Sequence, residues 1–329
     1  MSDLPQPLAP ALRRGIATRT AAPTLLIGLS LLLIGLGALL APGFASGANM
    51  LQLLKLASFL GIAAIGQTIV MLTGGIDLSI AWVLTGSAVV FTGLCNGLDA
   101  NLAVAALAAI AVGLAAGLIN GIGIVAFRLS PIIMTLAMNN IMLGATLVYT
   151  GGTPSGGSAP LVRSLATGSI GAVPAMLILW GLLAALAIAG VRYSRGGRKL
   201  LAVGENPQVA YLSGIANGRV IVAAYVICGG MAALTGILFA AFSGASFLGM
   251  GDQFVLPSIA AVVLGGTSMP GGRGGYGGTL AAVIFTTMLS TLLVIGNIPP
   301  GVRSIVFGLA ILAAIIGQRF ATRRDERDQ

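Results

Sequence analysis

Charged residues divide this chain into long uncharged stretches: 20–54, 56–76, 78–98, 100–127, 129–162, 164–191, 220–251, 253–272, 274–302 and 304–318. The apolar runs inside them are continuous. Barrel strands would alternate apolar and polar positions over about 10 residues, so these runs predict helices. Each crossing needs about 20 apolar residues, so ten stretches predict about ten transmembrane helices. The short stretch 304–318 is expected to extend back past Arg303 to Gly301. The run from Thr20 to Leu54 is too long for the apolar core of a signal peptide and has no clear cleavage site, so it reads as a retained first span. The expected architecture is all-α and polytopic: an N-terminal tail 1–23, one transmembrane domain 24–318 and a C-terminal tail 319–329.

One long polar interruption stands apart, from Arg192 to Arg219, with the loop proper at 193–218. It carries Arg192, Arg195, Arg198, Lys199, Glu205 and Arg219. Inside it, Asn206 followed by Pro207 predicts a helix start, because Asn caps orphan N–H groups and proline suits the first helical position. Val209, Ala210, Leu212 and Ile215 would anchor this helix, and Gly214 would stop it. A second connection, Gly151–Pro174, is rich in Gly, Ser and Pro. It reads either as a flexible linker or as an ordered cover. Gly113, Gly117 and Gly121 form a four-residue stripe that lets helix backbones approach, within one subunit or between two.

Composition agrees with a membrane chain. Of 329 residues, 57% are hydrophobic and 8% charged, against about 25% charged in soluble domains. The net charge of +9 does not point to nucleic acid, because no basic patch interleaved with aromatics sits on a recognisable module. The excess of Lys and Arg follows topology instead. With the N-terminus inside, all but Lys55, Arg163 and Arg303 of the 17 basic residues fall on the cytoplasmic side. Both termini and the 193–218 loop are then cytoplasmic. Histidine is absent, which removes His-based triads, metalloprotease motifs and His proton relays. Cys95 and Cys228 lie far apart in apolar runs and predict no disulfide.

Two glycine-rich breaks are the candidate irregular segments: Thr73–Ser79, with Gly74 and Gly75, and Gly265–Gly278, with Gly265, Gly266, Gly271, Gly272 and Arg273. Irregular backbone at membrane depth is tolerated only against protein or along a water-filled path. Asp77 reads as a helix cap or as an intramembrane functional acid. The polar residues within spans give a candidate translocation path of Gln67, Asp77, Asn120, Asn139 and Asn140. Amides and hydroxyls of this kind suit a neutral hydroxylated solute, and they equally suit hydrogen bonds between helices. No metal site and no catalytic set is expected. The only lysines, Lys55 and Lys199, lack the GxxxxGK[ST] context of a phosphate loop, so the chain carries no recognisable ATPase motif.

Thr73–Ser79 (TGGIDLS), Gly204–Ile215 (GENPQVAYLSGI) and Val263–Gly278 (VLGGTSMPGGRGGYGG) resemble, in order, the permease subunits of bacterial ABC importers for ribose, xylose, arabinose and similar monosaccharides. The likeness runs from about Asn49 to Ile316 and departs from the family at Ala81-Trp82, where small residues are usual. The resemblance implies a type II ABC importer-like fold with an inverted repeat, spans two to five against seven to ten. It implies an inner-membrane protein with three kinds of partner: a second permease subunit, identical or not, a cytoplasmic ATPase that binds ATP and Mg, and a periplasmic sugar-binding protein. Membrane lipid surrounds it. It also implies that Gly204, Glu205, Asn206, Pro207, Ala210, Leu212, Gly214 and Ile215 couple the permease to the ATPase. A related branch carries branched-chain amino acids or urea, and nucleosides are a further possible cargo. An ion-coupled carrier would need intramembrane acids, and Asp77, Asp99 and Asp252 all fall near predicted span ends.

Overall fold

The computed structural model describes residues 26–327, with 317–327 as backbone alone. The predicted tail 1–23, with Arg13, Arg14 and Arg19, lies outside the described residues. Among those described, the fold is almost entirely helical. The chain runs through α1 (Leu26–Leu40), α2 (Gly47–Leu72), α3 (Ile80–Cys95), α4 (Leu102–Ala126) and α5 (Pro131–Thr150). A short α6 (Pro160–Thr167) and a two-residue hairpin, β1 (Ser169–Ile170) with β2 (Val173–Pro174), precede α7 (Ala175–Tyr193). Then follow α8 (Arg195–Glu205), α9 (Pro207–Leu212), α10 (Asn217–Ser243), α11 (Asp252–Leu264), α12 (Tyr276–Ile295) and α13 (Pro300–Arg327).

Six helices are long and apolar enough to cross a membrane: α2, α4 with the 3-10 turn before it, α5, α7, α10 and α12. Four further apolar helices are shorter: Leu26–Leu40, Ile80–Cys95, Asp252–Leu264 and Pro300–Ile316. Several expected boundaries move. Lys55 lies inside α2 and not between two spans. The last helix begins at Pro300 and continues to Arg327, past the expected end at 318. A charge therefore does not mark a loop when its long stem can carry it to the helix end.

The centre is α2 and α10. α2 is buried along most of its length, and α10 packs on α2, α3 and α4. The glycine stripe of α4 faces α10: a Cβ at Gly113 would strike the Gly229 carbonyl, and one at Gly117 the Tyr225 carbonyl. The stripe is thus a seam inside this chain, where missing side chains let two backbones touch. Phe59, Phe239, Phe242 and Phe254 cluster where α2, α10 and α11 meet. Trp180 of α7 donates to the Tyr276 hydroxyl at 2.7 Å, which donates to the Gly61 carbonyl at 2.7 Å, tying α7 and α12 to α2.

The two ends of the bundle differ. At one end lie α8 and α9. At the other, 151–174 is an ordered cover and not a free linker. Gly156 sits against the Thr92 carbonyl, Gly97 N–H donates to Gly157 O at 2.9 Å, and Ser158 N–H donates to Gly244 O at 3.4 Å. The carboxylate of Asp99 accepts from Leu161 N–H at the start of α6 (2.9 Å), and Lys55 Nζ donates to Thr167 O at its end (2.6 Å). An acid at the N-terminus and a cation at the C-terminus both match the helix dipole.

Candidate functional site

The polar stretch after α7 folds as two short helices where one was expected. Ser194 caps α8, its Oγ accepting from Gly197 N–H at 2.9 Å. Gly197, Leu200 and Val203 form its buried face, at the spacing of one helix side. Asn206 Oδ1 then accepts from Gln208 N–H (3.0 Å) and Val209 N–H (3.1 Å), with Pro207 in the first turn of α9. Gly214, at φ +78°, follows the helix as expected. The expected anchoring differs. Of the four proposed anchors only Ala210 is buried, at 3%, and Ile215 is half-buried. Val209 is 57% exposed and Leu212 84%, beside Tyr211 at 72%. The helix is held by its small residue and offers its large apolar ones outward.

The two breaks and this element meet at one point. Gly74, at φ +82°, ends α2 in the left-handed conformation that glycine adopts without a steric cost. A Cβ at Gly204 would collide with the Leu72 carbonyl and the Gly272 amide, and one at Gly271 would lie 2.6 Å from Gly74 N. Gly272 N–H donates to Leu72 O at 3.0 Å. Glu205 pairs with Arg273 at 2.8 Å, with both side chains largely exposed. Gly265 and Gly278 press backbone on backbone within the second break, while Gly75 faces the Tyr225 hydroxyl and Gly266 is exposed. The junction therefore joins the end of α2, the end of α8 and the α11–α12 loop through main chain.

From there the first break turns back into the bundle. Asp77 is buried, and its Oδ1 accepts from Ser79 N–H at 2.8 Å and Ser79 Oγ–H at 2.5 Å. Asn120 of α4 donates to Ser79 Oγ at 2.9 Å. Cys228 of α10 lies beside Asp77, and Gly66 of α2 packs on Cys228. Gly66 is six residues before Leu72, about 9 Å along a helix. The break thus climbs by about that depth before α3 begins. Asp77 and Asn120 are buried and pin the start of α3. Gln67 is fully buried in α2, and among the described residues neither its Oε1 nor its Nε2 has a hydrogen-bond partner. Asn139 of α5 is half-buried, its Oδ1 accepting from Trp82 N–H at 3.4 Å in the first turn of α3. Asn140, next along, is exposed.

A third break escaped the sequence reading. Residues 244–251 descend from the α6 end alongside α3: Ser246 Oγ and Thr92 Oγ1 lie 2.6 Å apart, and Gly251 N–H donates to Thr85 Oγ1 at 3.1 Å. A Cβ at Gly251 would strike the Ala81 carbonyl. The first turns of α3 and α11 therefore meet inside the bundle. Asn139 stands next to that meeting, and Asp252 and Gln253 are exposed at it. The signal was present in Gly249-Met250-Gly251-Asp252, which echoes Gly74-Gly75-Ile76-Asp77. A charge at the boundary of an apolar run marks a span end equally well, so Asp252 by itself does not distinguish the two.

Comparison with known proteins bears on these residues together. A family model described as branched-chain amino acid transport system / permease component matches residues 49–315. The ribose import permease protein RbsC of Escherichia coli (strain K12) is 33% identical over 290 residues, covering 87% of this chain and 90% of that protein. RbsC of Bacillus subtilis (strain 168) is 34% identical over 304 residues, covering 89% and 91%. The autoinducer 2 import system permease protein LsrC of Salmonella typhi is 33% identical over 318 residues, covering 93% and 88%. No solved structure matches the chain.

Proposed function

The chain belongs to the family of branched-chain amino acid transport system permease components, and on that premise we propose that it is the membrane-spanning subunit of an ATP-binding-cassette importer that carries a monosaccharide across the bacterial inner membrane. The relatives that import ribose favour a sugar over an amino acid. The carrying observation is the junction of Gly74, Gly204, Gly271 and Gly272 beneath an α9 that offers Val209, Tyr211 and Leu212 outward. An apolar helix tip with no cover among the described residues is a docking surface for a partner. That partner is the cytoplasmic ATPase, which binds ATP and Mg. Gly204, Glu205, Asn206, Pro207, Ala210, Gly214 and Ile215 hold the tip in place.

In this reading α8 and α9 are cytoplasmic, as the Lys and Arg balance requires. The four shorter apolar helices complete ten spans. α3 and α11 are short because a break covers part of each crossing, one from either end, which is how an inverted repeat builds a central site. The exposed face of α5, with Ile132, Ile133, Leu136, Asn140 and Ile141, meets a second permease subunit. An amide is costly against lipid. The sugar path then runs between the subunits past Asn139, Asn140, Asp252 and Gln253. The 151–174 cover receives a periplasmic sugar-binding protein, and 24–318 acts as one transmembrane domain.

The test is reconstitution with an ABC ATPase and a sugar-binding protein from the same genome. Labelled ribose should enter vesicles only with ATP, and Leu212→Asp should lower entry by weakening the hold on the ATPase. Uptake without any ATPase would overturn the proposal. Uptake of labelled leucine in place of ribose would instead support the amino-acid branch that the family description names.

A further inference from the structure

α7 and α10 both pack on α2, yet they stand apart near the α8 end. Between them lies a cleft of about 410 Å³. Its floor is Ile69 of α2. Leu186, Ala187 and Gly190 of α7 form one wall, and Ala223, Ala224 and Ile227 of α10 the other. α8 closes one end, where Lys199 and Arg219 reach the mouth. Both cations are exposed, and among the described residues neither is paired with a carboxylate. Among the described residues no acidic one lines the cleft.

We propose that this cleft is a binding site for an anionic phospholipid. The apolar walls take an acyl chain, and Lys199 and Arg219 hold the phosphate from two different elements. Charge and shape choose this occupant over others. A soluble anion would leave the walls against water. A partner helix would have to bury two cations and bring its own acids. A zwitterionic lipid would carry a third cation toward Lys199 and Arg219. Basic pockets between membrane helices at an interface recognise anionic head groups on the same grounds. Because α8 leads directly into α9, the lipid would brace the segment proposed to couple to the ATPase. The binding itself does not depend on that proposal.

The experiment follows thermal unfolding of the delipidated full chain in a neutral detergent. Added phosphatidylglycerol should raise the midpoint by about 5 °C or more, as a ligand bound only to the folded state does. Phosphatidylcholine should raise it by less than half as much, and glycerol phosphate should have no effect. Lys199→Gln with Arg219→Gln should remove the extra response to phosphatidylglycerol and leave that to phosphatidylcholine. Both side chains are exposed, so this variant keeps the fold. Gly190→Leu fills the cleft from a position where a Cβ meets nothing within 4 Å, and it should remove both responses. Arg192→Gln with Arg195→Gln removes the same charge from outside the cleft and should change nothing. Equal responses in the wild type and the Lys199/Arg219 variant would overturn the site. So would an effect of glycerol phosphate matching that of phosphatidylglycerol, or an equal loss in the Arg192/Arg195 control.

Discussion

Two polar connections of similar length cap opposite ends of this bundle, and they are fastened by different physics. The cover at 151–174 has main-chain contacts at Gly156, Gly157 and Ser158, but the two ends of its helix α6 are tied by side chains, Asp99 at the first turn and Lys55 at the last. The α8–α9 element is held by backbone pressed on backbone at Gly204, Gly271 and Gly272. A side-chain cap can let go by rotating about a few bonds, and each is worth about 1 kcal/mol. Main chain against main chain has no rotamer to change. In the proposed coupling, a displacement of α8–α9 would pass straight into the end of α2 and the α11–α12 loop.

Substitutions that attack each fastening separately sharpen this contrast. The largest effect is expected from Gly204→Val, whose Cβ has no space beside Leu72 O and Gly272 N. Overpacking of this kind costs about 1–3 kcal/mol, and reconstituted ribose uptake should fall more than about tenfold. Normal uptake would mean that the junction transmits nothing. Next comes Leu212→Asp. Because the side chain is 84% exposed, the unfolding midpoint should hold while ATPase retention on affinity resin drops about tenfold or more. A lowered midpoint would show that α9 is anchored by Leu212 after all.

Asp99→Ala should cost about 1 kcal/mol locally, read as faster amide exchange confined to α6, with ATPase retention unchanged. Exchange that also quickens in α8 would erase the distinction between the two ends. The smallest change is expected from Arg273→Gln. Its ion pair with Glu205 is exposed at both partners, and such pairs contribute at most about 1 kcal/mol. Uptake should stay within about twofold of wild type. A loss as large as that of Gly204→Val would assign the tie to charge and not to backbone.

Much of the candidate site was legible in the chain. Asn206-Pro207 and Gly214 announce α9 because capping is local chemistry between neighbours in sequence. The breaks at 73–79 and 265–278 announce themselves by glycine. α8 was not legible: Gly196, Gly197 and Gly204 argue against a helix, and burial of Leu200 and Val203 overrides that preference. The direction in which Val209 and Leu212 point is not legible either. Apolar residues normally seek cover, and sequence does not say that the cover belongs to another molecule.

What the sequence determined by itself was the class of protein, the order of its apolar helices, and three glycine-bearing segments of unusual kind. These depend on composition and short-range pattern, which every chain carries openly. Only the tertiary structure decided that Gly74, Gly204 and Gly271 share one contact, that the stripe on α4 faces α10, and that 244–251 folds back to meet the start of α3. Glycine marks each of these places without naming its partner, because what it contributes is the absence of a side chain. Which backbone fills that space depends on how the helices stack around α2 and α10.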